Sequence, residues 1–130
     1  MTFDAIGIAA SGLTTHRKWL DAVSDNLANA NNVSSTDGEA FRARYIVAQE
    51  GQGVSGVYVS GAQFGDAEGR LVYQPDHPLA DDTGYVRYPD IDMAEQMGNL
   101  ILAQRGYEAN AAVVDRAKST YEAALQIGRS

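Results

Sequence analysis

Residues 92–129 contain no proline and carry a repeat that predicts one long helix. Apolar and long side chains form two rows there. Within each row the residues are seven positions apart, which places each row on one side of a helix. At about 1.5 Å per residue this helix would span about 50 Å, so we expect it to need a partner along its length. The residues of this helix that we expect at an interface are Met93, Met97, Leu100, Tyr107, Val114, Tyr121 and Leu125.

The start of this helix has a local signal. Asp92 precedes the repeat, and Glu95 follows three residues later, which is the spacing of a capping box with a carboxylate in the first position. Pro89 lies just upstream and restricts the preceding residue to extended geometry. We therefore expect the helix to begin at about residue 92.

The N-terminal region carries the same seven-residue repeat. Its second row, offset by three residues from the first, contains Ala9, His16, Val23 and Ala30. Two matching repeats at opposite ends of a chain suggest each other as partners. We expect residues 1–31 and 90–130 to form one helical domain by pairing. The N-terminal residues that we expect at helix or subunit contacts are Ile6, Leu13, Leu20, Val23 and Leu27.

The segment between the helices has a different composition. Residues 32–89 begin with a loop rich in Ser, Thr, Asp and Gly and continue with short runs rich in Val, Tyr, Ile and Phe, separated by glycines. Such runs are typical of strands joined by turns. We therefore predict an α+β protein in which paired terminal helices carry an inserted, irregular antiparallel β unit.

Asparagines near the end of the first helix have two interpretations. Asn26 and Asn29 could serve as helix-terminating and turn residues, or they could form hydrogen bonds that set the register between packed helices. The sequence favours neither interpretation.

Composition excludes several classes of function. The 130 residues carry a formal net charge of -7 and no cluster of Lys or Arg, which argues against nucleic acid and favours protein partners. The chain has no cysteine and therefore no disulfide or thiolate metal site. We expect no direct membrane insertion, because no run approaches about 20 apolar residues. The N-terminus does not resemble a secretory signal, so we expect any export to proceed without a cleaved signal peptide.

One polar cluster allows a chemical hypothesis. Asp76, His77, Asp81 and Asp82 lie close together in the sequence and could hold a divalent cation or act as acid and base. The neighbouring prolines and Gly84 favour a turn instead, where Asp stabilises the backbone by local hydrogen bonds. The glycine spacing fits no phosphate-binding motif. We therefore predict no catalytic, cofactor-binding or metal-binding residue and no small-molecule substrate.

The N-terminal sequence SGLTTHRKWLDAVSDNLANANN resembles the shared first helix of bacterial flagellar rod, hook and filament proteins. Two later segments, VYQPDHPLADDTGYVRYPDID and QRGYEANAAVVDRAKSTYEAALQIGR, resemble more narrowly the short FlgC-type proximal rod proteins of that family. The positions that carry the N-terminal motif are Ser11, Gly12, Leu13, Arg17, Asp21, Asn26, Ala28 and Asn29.

The resemblance implies a structural subunit of the periplasmic rod in the flagellar basal body, without enzymatic activity. It implies that the terminal helices line a tube around the export channel, that the β unit forms an outer layer, and that the rod transmits torque. The implied partners are further copies, other rod proteins and the flagellar type III export apparatus. From the residues alone, two alternatives remain: a coiled-coil adaptor that forms a closed dimer with one partner, and a small metal-dependent enzyme built on the polar cluster.

Overall fold

The computed structural model describes residues 2–129, with side chains from residue 4 to residue 129. A long helix lies at each end of the chain: α1 comprises Thr2–Ala28 and α2 comprises Met93–Arg129. They pack against each other in antiparallel orientation, since residues near the start of α1 meet residues far along α2. The α+β class with helices at both ends is therefore confirmed. No described helix is long and apolar enough to cross a membrane.

The ends of the two helices are formed by short polar side chains. The Asp92 carboxylate accepts hydrogen bonds from the backbone N–H of Ala94 at 2.9 Å and of Glu95 at 3.3 Å, so it caps α2 as the sequence predicts. At the other end of the insertion, Asn29 follows α1 and donates from Nδ2 to the carbonyl of Asp25 at 2.8 Å. The same carbonyl also accepts the backbone N–H of Asn29 at 3.1 Å, so Asn29 makes two hydrogen bonds to Asp25 at the end of α1.

Four strands form two separate antiparallel hairpins. Strands β1 (Arg44–Glu50) and β2 (Val57–Phe64) form the longer hairpin, which packs against α1. Strands β3 (Arg70–Tyr73) and β4 (Tyr85–Tyr88) form the shorter one. All four lie within residues 32–89, the segment in which the sequence predicts short antiparallel strands. A shift of register after Val47 marks a β-bulge, which increases the local twist of the long hairpin.

The loop that follows α1 is tied to the short hairpin through Arg87 in β4. Ser34 and Arg87 form an isolated β-bridge, with backbone hydrogen bonds of 2.8 and 2.9 Å. The guanidinium of Arg87 also donates to the carbonyl oxygens of Thr36, at 2.9 Å, and Glu68. One side chain therefore holds three separate backbone segments together.

The apolar core of the single chain is small and lies where the helices meet the β unit. Ala30, Ala43 and Ile91 form its buried cluster, and Phe41 packs against them. Val86 of the short hairpin is fully buried. Most of the length of α2 lies outside this core, and every residue from 118 to 129 is exposed.

Candidate assembly interface

Small side chains form the contact between α1 and α2. Gly12 lies so close to α2 that a Cβ atom there would be 2.6 Å from Oδ1 of Asn110. The buried residues of the two helices are Ala9, Gly12, Thr15, Ala22, Val23 and Asn26 on α1 and Gln96 and Ala103 on α2. The residues that the two helices bury are thus mostly smaller than those of the leucine and methionine rows. Part of this burial on α1 comes from the long hairpin, since Thr15 borders a depression with Ile46 and Ala48 of β1.

The residues predicted at the interface have three kinds of environment in the single chain. Val23 of α1 is buried. Six others are half-buried: Ile6, Leu13, Leu20, Leu27, Leu100 and Val114. The remaining five are exposed on α2: Met93, Met97, Tyr107, Tyr121 and Leu125. A role for the exposed residues in contacts with other subunits stays a prediction.

Asn26 connects both helices to the first strand. Its Oδ1 accepts the backbone N–H of Arg44 at 2.8 Å, and its Nδ2 donates to the carbonyl of Arg44 at 3.0 Å and to Oε1 of Gln96 at 3.1 Å. Asn26 is fully buried, and Gln96 is 1% exposed. All hydrogen-bonding groups of the Asn26 amide are therefore used, and of the two interpretations of Asn26, the structure shows the contact between packed elements.

Charge pairing adds to this junction at the surface. The guanidinium of Arg44 lies 2.7 Å from the carboxylate of Asp25, one residue before Asn26. Both side chains are partly exposed, so solvent screens the ion pair and limits its contribution. The buried amide contacts of Asn26 therefore contribute more to the position of β1 than the ion pair does.

Ser11 attaches the long hairpin to the opposite half of α1. Its hydroxyl accepts the backbone N–H of Val57 at 3.0 Å and donates to the carbonyl of Ile8 at 2.6 Å. Gly56 lies directly against this hydroxyl, with a positive φ of 78°. The hairpin is thus held to α1 at both ends, by Ser11 where β2 begins and by Asn26 where β1 begins.

The other motif residues have less specific environments. Leu13 and Asn29 are half-buried, whereas Arg17, Asp21 and Ala28 are exposed. Asp21 and Lys18 border a groove of about 450 Å³ between α1 and the long hairpin. The motif therefore contains residues that build the single chain and exposed residues that the single chain does not explain.

A large set of apolar side chains is exposed on the helices. On α2 the exposed fraction is 52% for Ile101 and 59% for Leu102. The exposed large apolar residues of α2 include Met93, Met97, Ile101, Leu102, Val113 and Leu125. Single soluble chains rarely expose so many large apolar side chains, which makes this part of α2 a candidate contact surface.

The turn between β3 and β4 contains the polar cluster that allowed a chemical hypothesis. Asp81 accepts hydrogen bonds from the backbone N–H of Tyr85 at 3.0 Å and from both the N–H and the hydroxyl of Thr83. These donors, the Tyr85 N–H first, lower the pKa of Asp81 from 3.8 to about 2. Nδ1 of His77 accepts the N–H of Leu79. The two side chains therefore support the turn itself.

A bound metal ion needs several donor side chains that converge on one point. In the part of the chain that the structure describes, no three His, Cys, Asp or Glu side chains are placed to hold one. Asp76 and His77 border a separate shallow depression with Gln74 and Pro75. Asp81 and Asp82 do not line it.

Two family descriptions match the two helical regions. Residues 6–34 match "Flagella basal body rod protein", and residues 82–127 match "Flagellar basal body rod FlgEFG protein C-terminal". Proteins named flagellar basal-body rod protein FlgC are similar along nearly the whole chain. Those of Yersinia enterocolitica, Aquifex aeolicus and Bacillus subtilis (strain 168) are 40%, 36% and 31% identical, and the matches cover 94%, 92% and 98% of each chain, respectively.

The paired terminal helices, the inserted hairpins and these matches define a structural protein of the bacterial flagellar basal-body rod. Within that class, the chain belongs to the FlgC family of rod proteins. The family motif now has a partial physical explanation, because Ser11, Gly12 and Asn26 are the positions at which α1 holds the hairpin and α2.

Proposed function

We propose that the chain assembles with further copies of itself and with other rod proteins into a hollow axial shaft. The shaft surrounds the channel for exported proteins and transmits torque through the periplasm. The terminal helices line the channel, and the two hairpins form the outer contact layer. The subunits reach the rod through the flagellar export apparatus.

The exposed apolar surface of α2 carries this proposal. Ile101 and Leu102 are both more than half exposed, and they lie beside Ala103, which is fully buried against α1. Apolar side chains on more than one side of a helix require more than one neighbour. Because α1 covers only one side of α2, contacts with other subunits supply the remaining cover. Each large apolar side chain that becomes fully buried contributes about 1.5 to 3 kcal/mol.

The hairpins offer a second surface, with exposed aromatic residues. Tyr58 and Phe64 of β2 and Tyr73 of β3 are each at least half exposed. Aromatic residues are enriched at protein interfaces because their rings bury a large area. The surfaces on the helices and on the hairpins lie on different parts of the chain, which suits a subunit with several neighbours.

A charge at the exposed apolar surface tests the proposal. We expect Ile101→Lys to abolish or strongly reduce rod assembly and motility in cells that lack the native gene, because assembly would bury an unpaired ammonium group. The matched control is Gln104→Lys, which places the same charge at an exposed polar position of α2. Both variants should keep the melting temperature of the isolated chain, since both positions are exposed.

The outcomes separate the alternatives. Normal rods with Ile101→Lys would contradict a role for this surface in assembly. Purified protein that forms a closed dimer of fixed size, with no tubular particles in electron micrographs of basal bodies carrying it, would favour the adaptor. Tubular particles containing the protein, and their loss only with Ile101→Lys, would support the proposed shaft.

A further inference from the structure

His16 and Asn110 form two equivalent contacts across the helix pair. The imidazole of His16 lies over Gly106 of α2, and the carboxamide of Asn110 lies over Gly12 of α1. At each place a Cβ atom on the glycine would overlap the side chain from the other helix. We call these two contacts the paired notches.

Hydrogen bonds fix both side chains in the same way. Nδ1 of His16 lies 2.8 Å from the carbonyl oxygen of Gly12, and since a carbonyl only accepts, Nδ1 carries the proton. Nδ2 of Asn110 donates to the carbonyl oxygen of Gly106, also at 2.8 Å. Each side chain thus bonds to the glycine four residues earlier on its own helix and fills the space above the glycine of the other helix. The same kind of contact therefore occurs twice, once with the side chain on α1 and the glycine on α2, and once with the side chain on α2 and the glycine on α1.

The apolar repeat alone does not select one alignment of the helices. Its leucine and methionine rows have a period of seven residues, so a slip of seven residues again places row against row. A slip of seven residues would, however, move the side chains of the paired notches away from their glycines. It would bring His16 opposite Asn99 or Val113, and neither leaves the space that a glycine does. One direction of slip would also bring Asn110 opposite the large ring of Trp19.

We propose that the paired notches set the register between α1 and α2. In the sequence, the whole β unit lies between the two helices. At each notch, a side chain from one end of the chain covers a glycine from the other end. The buried hydrogen bond between Asn26 and Gln96 lies farther along the same contact and agrees with the same register. The register decides which side chains of α2 are covered by α1 and which remain for other molecules. The proposal concerns the single chain and does not depend on assembly into a rod.

Matched glycine substitutions test the proposal. Gly98 lies on the same helix as Gly106, and a Cβ atom there would meet nothing within 4 Å. Alanine favours a helix over glycine at an open position, so Gly98→Ala should leave the melting temperature unchanged or raise it. Gly106→Ala should lower it by several degrees, because the added methyl group displaces His16. Gly12→Ala and Gly7→Ala form a second pair with the same contrast on α1.

The register itself can be measured directly, because the chain has no cysteine of its own. Spin labels on Lys18→Cys and Gln104→Cys, both exposed, report the distance between the helices by electron–electron double resonance. A slip of seven residues shifts one helix along the other by about 10 Å. We expect one narrow distance distribution in the otherwise unchanged chain and with Gly98→Ala. We expect a shifted or broadened distribution with Gly106→Ala.

A variant without added atoms covers the case in which Gly106→Ala fails to fold. His16→Ala combined with Asn110→Ala empties both notches and should broaden the distance distribution, since neither notch then distinguishes one register from another. His16→Ala should also recover part of the stability that Gly106→Ala removes. A narrow, unshifted distribution in the doubly emptied variant would overturn the proposal, as would equal melting temperatures for Gly106→Ala and Gly98→Ala.

Discussion

The side chain of Asn26 forms two hydrogen bonds with the backbone of Arg44: it accepts the N–H at 2.8 Å and donates to the carbonyl at 3.0 Å. The two hydrogen bonds join positions 18 residues apart, across the end of α1 and the loop that follows it. The remaining amide proton of Asn26 reaches Gln96 on α2. One buried side chain therefore sets where the long hairpin leaves the helix pair.

Replacing Asn26 by leucine should strongly destabilise the chain. The change removes three hydrogen bonds and leaves the N–H and carbonyl of Arg44 and the Oε1 of Gln96 without their partner. Unpaired buried groups cost about 1 to 3 kcal/mol each and are not fully additive, so we expect a loss of roughly 3 kcal/mol in the free energy of unfolding. Urea unfolding followed by circular dichroism measures this loss.

Two controls locate the effect in the amide contacts. Nε2 of Gln96 is buried with no hydrogen-bond partner among the described residues, so Gln96→Leu removes an unsatisfied donor together with one bond and should cost less. Asp25→Asn removes the neighbouring ion pair, for which exposed pairs typically contribute about 0.2 to 1 kcal/mol. If Asn26→Leu lowered the free energy of unfolding no more than either control, the hydrogen bonds between Asn26 and Arg44 would not determine stability.

The sequence predicts the elements of this fold better than it predicts their contacts. The repeat, the cap at Asp92 and the glycine-separated runs gave the two helices and four strands, because each depends on nearby residues. The contact between helices instead depends on how closely two backbones approach. Gly12 and Gly106 allow the two helix backbones to approach closely. Small side chains near these glycines are buried, and larger side chains lie beside the contact. A seven-residue spacing of Gln96, Ala103 and Asn110 was the signal for that face.

The pairing of Ser11 with Val57 illustrates what a single sequence does not show. A serine hydroxyl bonded to a carbonyl three residues earlier is ordinary on a helix, and only the fold brings the Val57 N–H within 3.0 Å of it. The resemblance to rod proteins placed Ser11 in a motif but gave it no contact. The contact of Ser11 depends on a residue 46 positions away in the sequence.

The pH dependence of stability should include a contribution from Asp81 at low pH. The pKa of its carboxyl group is lowered from 3.8 to about 2 in the folded chain. Because the folded pKa lies below the unfolded one, the ionised group stabilises the fold above about pH 3.8, and this stabilisation is lost as the pH falls through about 2. We expect Asp81→Ala to lower the melting temperature at pH 6 more than at pH 2.

Asp82 supplies the control for this titration. It adjoins Asp81 and is exposed, so Asp82→Ala should lower the melting temperature at pH 6 less than Asp81→Ala does. Thermal melts at a series of pH values compare the two variants. A difference between Asp81→Ala and the unchanged chain that stays constant from pH 6 to pH 2 would show that the charge of Asp81 does not support the turn.

Removing the cap of α2 should have a moderate and local effect. Asp92→Ala leaves the N–H groups of Ala94 and Glu95 without their acceptor, and loss of an N-cap typically costs about 1 kcal/mol. Asp92→Asn retains the side-chain oxygen and should cost less. Hydrogen exchange of the amides at positions 94 and 95 should rise more in the alanine variant than that of amides near the middle of α2. Equal exchange in both variants would contradict capping.

The attachment of the long hairpin to α1 can be tested with two glycines of one turn. Gly53 and Gly56 both have positive φ, 62° and 78°, so alanine carries a similar backbone penalty at each. A Cβ atom at Gly53 would meet nothing within 4 Å, whereas one at Gly56 would overlap the hydroxyl of Ser11 and lie 3.2 Å from Cα of Ile8. The difference between the two alanine variants therefore isolates the contact with α1.

We expect Gly56→Ala to reduce stability by about 1 to 3 kcal/mol more than Gly53→Ala, because the added methyl group separates the Val57 N–H from its acceptor and overpacks a tight contact. Ser11→Ala removes both the obstacle and the hydrogen bond. If the contact is responsible, the cost of Gly56→Ala should be smaller in the Ser11→Ala background than in the unchanged chain, which a double-mutant cycle measures by urea unfolding. Equal costs of Gly53→Ala and Gly56→Ala, together with no coupling to Ser11, would show that the hairpin is held to α1 by other contacts.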